Sequence, residues 1–365
     1  MTTPRVLVAP DKFKGSLPAH EVARALATGL RRVRPEAVVD VLPVADGGDG
    51  TLDAAVASGF ERVPVVASGP TGEPVATAYA RRGTTAVVEM ADACGLARLP
   101  GGVPAPTTAT SRGLGEVVAA ALDAGCRDLV IGIGGSASTD GGVGMLAALG
   151  AAVDPHDLSS DVHLDLSGLH PALAQSRIVV ACDVDNPLTG PEGAAAVYAP
   201  QKGATPEQVA LLDARLVRWA DAVAAATGTD RRDQPGAGAA GGVGFGLVAV
   251  LGAELRPGID LMLDLLGFAD RVPGADLVIT GEGSLDEQSL RGKAPVGVAT
   301  AAARVGVPVV AVCGRSLLTA DQVAAAGFAG AHALTDLEPD VDVCLREPDR
   351  LLTDLGALVA RRYLG

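Results

Sequence analysis

One device recurs along this chain: a short apolar run stops at a loop of Gly, Asp, Lys and small hydroxyl residues, and a helical stretch follows. Residues 5–9 read as a buried strand, 10–16 as the loop, and 18–33 as a helix opened by Ser16 as its N-cap. A second strand over 38–42 ends in the loop 43–51. The order returns near the other terminus, with a strand over 276–280, a Gly-rich loop, a helix over 296–305 and a strand over 307–313. Strand-loop-helix units of this length build parallel sheets whose loops gather at the strand ends. Both chain ends therefore read as one parallel-sheet α/β domain, residues 1–64 and 268–365, with an inserted mixed α/β domain over 65–267.

The insertion has a different grammar. Residues 63–79 alternate apolar and polar around Gly69-Pro70-Thr71-Gly72, the pattern of a hairpin. A helix around 119–122, a strand over 128–133, a helix over 142–149 and a long helix over 206–226 follow, and the Gly-rich stretch 236–246 is too punctuated for a plain linker. Asp128-Leu129-Val130-Ile131 with Gly135-Ser136 echoes Asp276-Leu277-Val278-Ile279 with Gly283-Ser284 at the same spacing. Nothing else recurs at that period, so this is one strand-and-loop device used twice and not a solenoid.

Aromatic residues make up only 2% of a chain that is 48% hydrophobic, so Ala and Val must build the core and a layered architecture suits them. A formal charge of -14 argues against nucleic acid as a partner, since no basic surplus exists to neutralise phosphates. In so acidic a chain, Lys residues inside Gly-rich loops become the informative cations. The five Cys lack paired spacing, which indicates neither a disulfide framework nor a zinc site and suits a reducing compartment. The first ten residues show no long h-region, and no apolar run approaches the roughly 20 residues of a membrane helix. The expectation is a cytoplasmic protein with no membrane partner. The five His form no H-E-x-x-H motif and no G-x-S-x-G elbow occurs, which sets aside metalloprotease and serine-hydrolase chemistry.

Five loops could carry chemistry. Asp11-Lys12-Phe13-Lys14-Gly15-Ser16 places two ammonium groups before a helix, where phosphate or carboxylate binds well, although an ordinary cap would also explain it. Asp46-Gly47-Gly48-Asp49-Gly50-Thr51 presents two carboxylates that could hold Mg²⁺ or accept a hydroxyl proton, or simply form an Asp-rich turn. The loop from Gly132 to Gly142, with Gly134, Gly135, Ser136, Ser138 and Asp140, can cradle an anion. Read from Gly132 it also fits G-x-G-x-x-A with Asp154 as a ribose acid, the signature of an NAD-dependent dehydrogenase of a small hydroxy acid. Asp183, Asp185 and Asn186 offer oxygen ligands, or cap a turn stopped by Pro187. Gly281-Glu282-Gly283-Ser284 with Gly292-Lys293 is no Walker A loop, because Ala294 replaces Ser or Thr and Glu287 stands at its first Gly.

Taken together, residues 9–16, 43–51, 132–144, 181–190, 201–204, 235–244 and 281–293 resemble the bacterial type 1 glycerate kinase family, in order and over nearly the whole chain. The resemblance implies an ATP- and Mg²⁺-dependent kinase of glycerate with two α/β domains, one Rossmann-like and built from both chain ends, and an active site in the cleft between them, commonly making 2-phosphoglycerate. One departure is a connection over 152–165 that is shorter than the family's, read as a trimmed surface hairpin. Residue type and loop placement then suggest roles: Lys12 and Lys14 on substrate carboxylate or transferring phosphate, Asp46 or Asp140 as base, and the amides of 134–138 as phosphate cradle. Lys293 adds a cation, Ser16, Asp49, Asn186 and Glu282 join the substrate or phosphate site, and Asp183 and Asp185 are Mg²⁺ ligands. A non-catalytic sensor of hydroxy acids is the third function class, disfavoured because the loop Lys and Asp residues are all present. Homo-oligomerisation is left open.

Overall fold

The computed structural model describes residues 3–154 and 162–365. The strands are β1 (Arg5–Pro10), β2 (Val38–Val41), β3 (Glu61–Ser68), β4 (Pro74–Arg82), β5 (Thr85–Glu89), β6 (Asp128–Gly132), β7 (Arg177–Ala181), β8 (Glu254–Arg256), β9 (Leu277–Leu285), β10 (Val309–Ser316) and β11 (Gly330–Ala333). Helices α1 (Ala19–Val33), α2 (Thr51–Ala57), α3 (Met90–Cys94), α4 (Arg112–Asp123), α5 (Val143–Ala148), α6 (Ala194–Tyr198) and α7 (Pro206–Thr227) lie in the first two thirds of the chain. They are followed by α8 (Ala239–Ala249), α9 (Gly258–Leu266), α10 (Phe268–Arg271), α11 (Ala294–Ala303), α12 (Ala320–Ala325), α13 (Val341–Arg346) and α14 (Pro348–Tyr363).

These elements form two compact units. One comprises residues 1–46, 53–58 and 259–365, and the other 47–52 and 59–258. The division at 58/59 comes ahead of the boundary expected at 64/65 because β3 pairs along its whole length with β4 and so stays in one unit, and the second division falls at 258/259, ahead of the expected 267/268.

The first unit is a fully parallel sheet in the order β11-β10-β9-β1-β2. The inner strands β1, β9 and β10 begin with buried, mostly apolar runs because both faces are covered there, while the edge strand β2 alternates, with Val38 exposed. Leu7 and Ala9 point to the face packed by Val298 of α11, while Val6 and Val8 face Leu26 of α1 and Leu355 of α14. A side chain such as Leu26, with no solvent exposure, stabilises the unit by roughly 1.5–3 kcal/mol through burial.

The second unit carries a six-stranded mixed sheet, β3-β4-β5-β6-β7-β8, antiparallel from β3 to β5 and parallel from β5 to β8. Its core gathers Leu114 and Val118 of α4, Met145 of α5, Trp219 of α7 and Phe245 of α8 against Ile131 and Val180. The expected hairpin at 69–72 is the β3–β4 turn, and the expected long helix is α7, opened by a capping box of Thr205 and Gln208 and closed by left-handed Gly228. The short connection over 152–165 lies largely outside the described residues, and its ends Ala152 and Asp165 exchange backbone hydrogen bonds at 2.8 and 3.0 Å.

Ser16 is not the cap expected of it. Helix α1 begins at Ala19 with Pro18 as its N-cap, because the chain first closes a tight turn in which Leu17 and Ser16 donate to the Phe13 carbonyl. Proline there needs no hydrogen-bond partner for its nitrogen.

Candidate active site

In the parallel unit, counting its own strands along the chain gives the order 2-1-3-4-5, so the sheet reverses direction of winding between β1 and β9. Ligands of such sheets bind beyond the carboxyl ends of the strands at that point. There the Asp11 N–H donates to the Gly281 carbonyl at 2.8 Å, and the Asp11 Oδ1 accepts from the Lys12 N–H at 2.6 Å. Burial of the carboxyl group, with the neighbouring Asp46 and Glu282 carboxylates, raises Asp11 well above the usual range against the pull of Lys12. Glu282, next in line on β9, is also raised, chiefly by burial and further by Asp286 and Asp46, while Ser289 and the Lys293 ammonium oppose the shift. Lys293 Nζ stands 3.8 Å from Glu282 Oε2.

The structure thus brings Asp46, Glu282, Lys12 and Lys293 of the expected set into one electrostatic group, together with Asp11. Two buried oxygens here, Glu282 Oε1 and Ser16 Oγ, have no hydrogen-bond partner among the described residues. Buried polar atoms in native folds are nearly always satisfied, so such atoms beyond the strand ends and at the carboxyl end of β9 point to a ligand. Lys14 is exposed on the same loop.

In the mixed unit, the loop after β6 is held from several sides. Asp140 accepts at Oδ2 from the Ser111 N–H and hydroxyl, both at 2.8 Å, and from the Gly144 N–H at 3.3 Å, and at Oδ1 from the Gly142 N–H at 3.2 Å. Its carboxylate is therefore spent on shaping the loop. Lys202, 3% exposed, reaches into the same loop and donates to Ser136 Oγ at 2.9 Å and to the Ser138 carbonyl. Burial pushes this ammonium down to about 8, against the charge of Asp140. The hydroxyls of Ser138 and Thr139 are buried without partners among the described residues. Gly134 is half-buried and Gly135 exposed, so the loop's backbone is accessible at that corner.

The segment 47–52 packs beside this loop. Glu89, at the end of β5 and 5% exposed, accepts from the Gly50 N–H at 3.2 and 3.1 Å and from the Leu52 N–H at 2.9 Å. Burial raises its carboxyl to about 7, with Asp49 and Asp92 adding and the two backbone donors opposing. Asp49 is exposed at the turn. A Cβ on Gly132 would come within 2.5 Å of the Gly47 carbonyl, and one on Gly134 within 2.6 Å of Gly48 Cα. Those glycines make room for a neighbouring loop. In a dinucleotide fingerprint they would make room for a pyrophosphate at a helix opening, whereas here the helix starts only at Val143.

Asp183 and Asp185 are exposed beyond β7. Asp183 Oδ1 accepts from the Gly258 N–H at 2.7 Å. Asn186 ties its own loop together, donating to the Glu192 carbonyl at 2.8 Å and accepting from the Tyr198 hydroxyl at 2.5 Å. Among the described residues no group of three His, Cys, Asp or Glu side chains converges as a preformed cation site.

Four participants were not singled out from the sequence: Asp11, Glu89, Ser111 and Lys202. A charged residue closing an apolar strand, as Glu89 closes 85–89, was a readable signal. Lys202 lies in the 201–204 block that carries part of the family resemblance, but its contact with the loop, like that of Ser111, arises only through the tertiary fold.

A model of the glycerate kinase family matches residues 6–364. The chain is 46% identical to the glycerate kinase of Bacillus subtilis (strain 168) and 43% identical to the glycerate 2-kinase of Escherichia coli (strain K12), with 85% of both partners covered in each case. It also matches a chain from Salmonella typhimurium LT2 crystallised under the name glycerate kinase 2, with a TM-score of 0.85, 40% identity, and coverage of 99% of this chain and 98% of that one.

Proposed function

Because this chain belongs to the glycerate kinase family, we propose that it is a cytoplasmic type 1 enzyme that transfers the terminal phosphoryl group of ATP to a hydroxyl of D-glycerate and releases 2-phosphoglycerate. The name of the E. coli relative, a glycerate 2-kinase, supports that regiochemistry. Five free cysteines support a reducing compartment.

The observation that carries the reading is a set of buried oxygens with no hydrogen-bond partner among the described residues: Ser16 Oγ on the loop after β1 and Glu282 Oε1 on β9 in one unit, and Ser138 Oγ and Thr139 Oγ1 on the loop after β6 in the other. A hydroxylated carboxylate and a phosphate chain are the ligands that such donors and acceptors, with Lys12 and Lys293, would satisfy. Phosphoryl transfer asks for positioning and charge neutralisation more than for covalent chemistry. Lys12 and Lys293 balance anionic oxygens, Lys14 adds a cation at the loop's edge, and the amides of 134–138 take phosphate oxygens. Asp46 is our choice for the carboxylate that accepts the hydroxyl proton, since Asp140 already receives four hydrogen bonds. A Mg²⁺ brought with ATP would neutralise phosphate charge and would ask only one or two carboxylates of the protein. Asp183 and Asp185 fit that modest demand.

The test is ADP formation with D-glycerate and Mg²⁺, the product being identified by phosphorus NMR. Glycerate-dependent turnover giving one isomer is expected, and Asp46→Asn should lower kcat by about a hundredfold or more. ATP binding without glycerate-dependent turnover would reject the reading.

A further inference from the structure

Lys202 carries a positive charge where few lysines are found. It ends a short turn, Pro200–Lys202, just ahead of α7, and only 3% of it is exposed. A buried ammonium is costly unless a carboxylate neutralises it, yet among the described residues no carboxylate lies within ion-pair distance. Its hydrogen bonds go to the side chain of Ser136 at 2.9 Å and to the main chain at Ser138. Two points of one loop are thereby held to a single cation.

The second of these bonds has a consequence for the backbone. A trans peptide places its carbonyl oxygen and the next N–H on opposite sides. With the Ser138 carbonyl turned toward the ammonium, the Thr139 N–H is turned away from it. The same carbonyl is closed off on another side by left-handed Gly241, whose missing Cβ leaves the space it needs. We propose that Lys202 is a positioning residue for the reaction: it fixes the peptide orientation of the 136–139 segment, and it tunes that loop's hold on the phosphate chain of ATP. The proposal rests on reading the loop as the phosphate cradle. Burial alone would favour a neutral amine, but the Asp140 carboxylate opposes it and the group's midpoint stands at about 8.

The test combines Lys202→Met, which keeps the apolar stem, Ser136→Ala, and the double variant. For Lys202→Met the expected result is a KM for ATP raised about tenfold with the KM for D-glycerate within about twofold of wild type. Ser136→Ala should raise the KM for ATP about threefold, and the double variant should match Lys202→Met, because both changes cut one connection. A purely structural lysine would shift both KM values, or neither, and lower only the urea midpoint; either result overturns the proposal, as do independent, multiplying effects in the double variant. If Lys202→Met does not fold, an unchanged KM for ATP in Ser136→Ala overturns it. Calorimetric titration with ATP alone separates this claim from the kinase reading. A wild type that binds ATP but does not use glycerate rejects only the latter, and Lys202 then stands or falls on whether its Met variant weakens ATP binding about tenfold. No ATP binding by wild type defeats both.

Discussion

Glu89 accepts hydrogen bonds from two backbone N–H groups, which favour its ionised form, yet burial wins and its carboxyl titrates at about 7 instead of 4.5. A carboxyl with a raised folded-state pKa binds its proton more tightly folded than unfolded. The resulting stability is fully present below pH 4.5 and is lost as pH rises through 7, a difference of about 3 kcal/mol. Urea unfolding at a series of pH values should show this decline in wild type and not in Glu89→Gln. At the same scale, Asp140 contrasts with Asp46. Asp140 is locked into loop amides, so Asp140→Asn should cost stability, visible in the urea midpoint, whereas the loss expected of Asp46→Asn is in turnover.

Among the elements, the entry to α8 carries the most constrained backbone. Ala240, Gly241 and Gly242 have φ values of 54°, 70° and 89°, three successive left-handed residues. That run lets the Gly141 N–H donate to the Gly241 carbonyl at 3.0 Å, which gives the loop after β6 a second fastening besides Lys202. A Cβ at 241 would meet the Ser138 carbonyl and stand 2.7 Å from Thr139 Cα. Left-handed strain and overpacking add, so Gly241→Ala should destabilise the fold by at least about 2 kcal/mol, measured by urea unfolding. The sequence showed a Gly-rich stretch at 236–246 but not its job, because what it grips is a loop a hundred residues earlier in the chain.

For the whole molecule, the unit built from both chain ends depends on α14. Leu351, Leu352, Leu355 and Val359 are all at most 2% exposed and face α1 and the sheet. At roughly 1.5–3 kcal/mol each, their loss removes roughly 6–12 kcal/mol, comparable to the whole stability of a domain. Ending the chain after Glu347 should unfold the parallel unit. Circular dichroism would fall, while Trp219, the single tryptophan and buried in the mixed unit, should keep its native emission. The strand-loop-helix order, the hairpin and the Gly-loop motifs were legible because they are local: period, turn chemistry and spacing lie within a few residues of one another. They determined the α/β class, the joining of the two chain ends and the family resemblance. The tertiary structure alone decided that Asp140 shapes its loop, that Glu89 and Lys202 hold neighbouring backbone, and that Asp11 joins Asp46 and Glu282. Those facts arise from burial and from contacts between segments far apart in sequence, where desolvation and the geometry of partner atoms, not residue type, settle what a charged side chain can do.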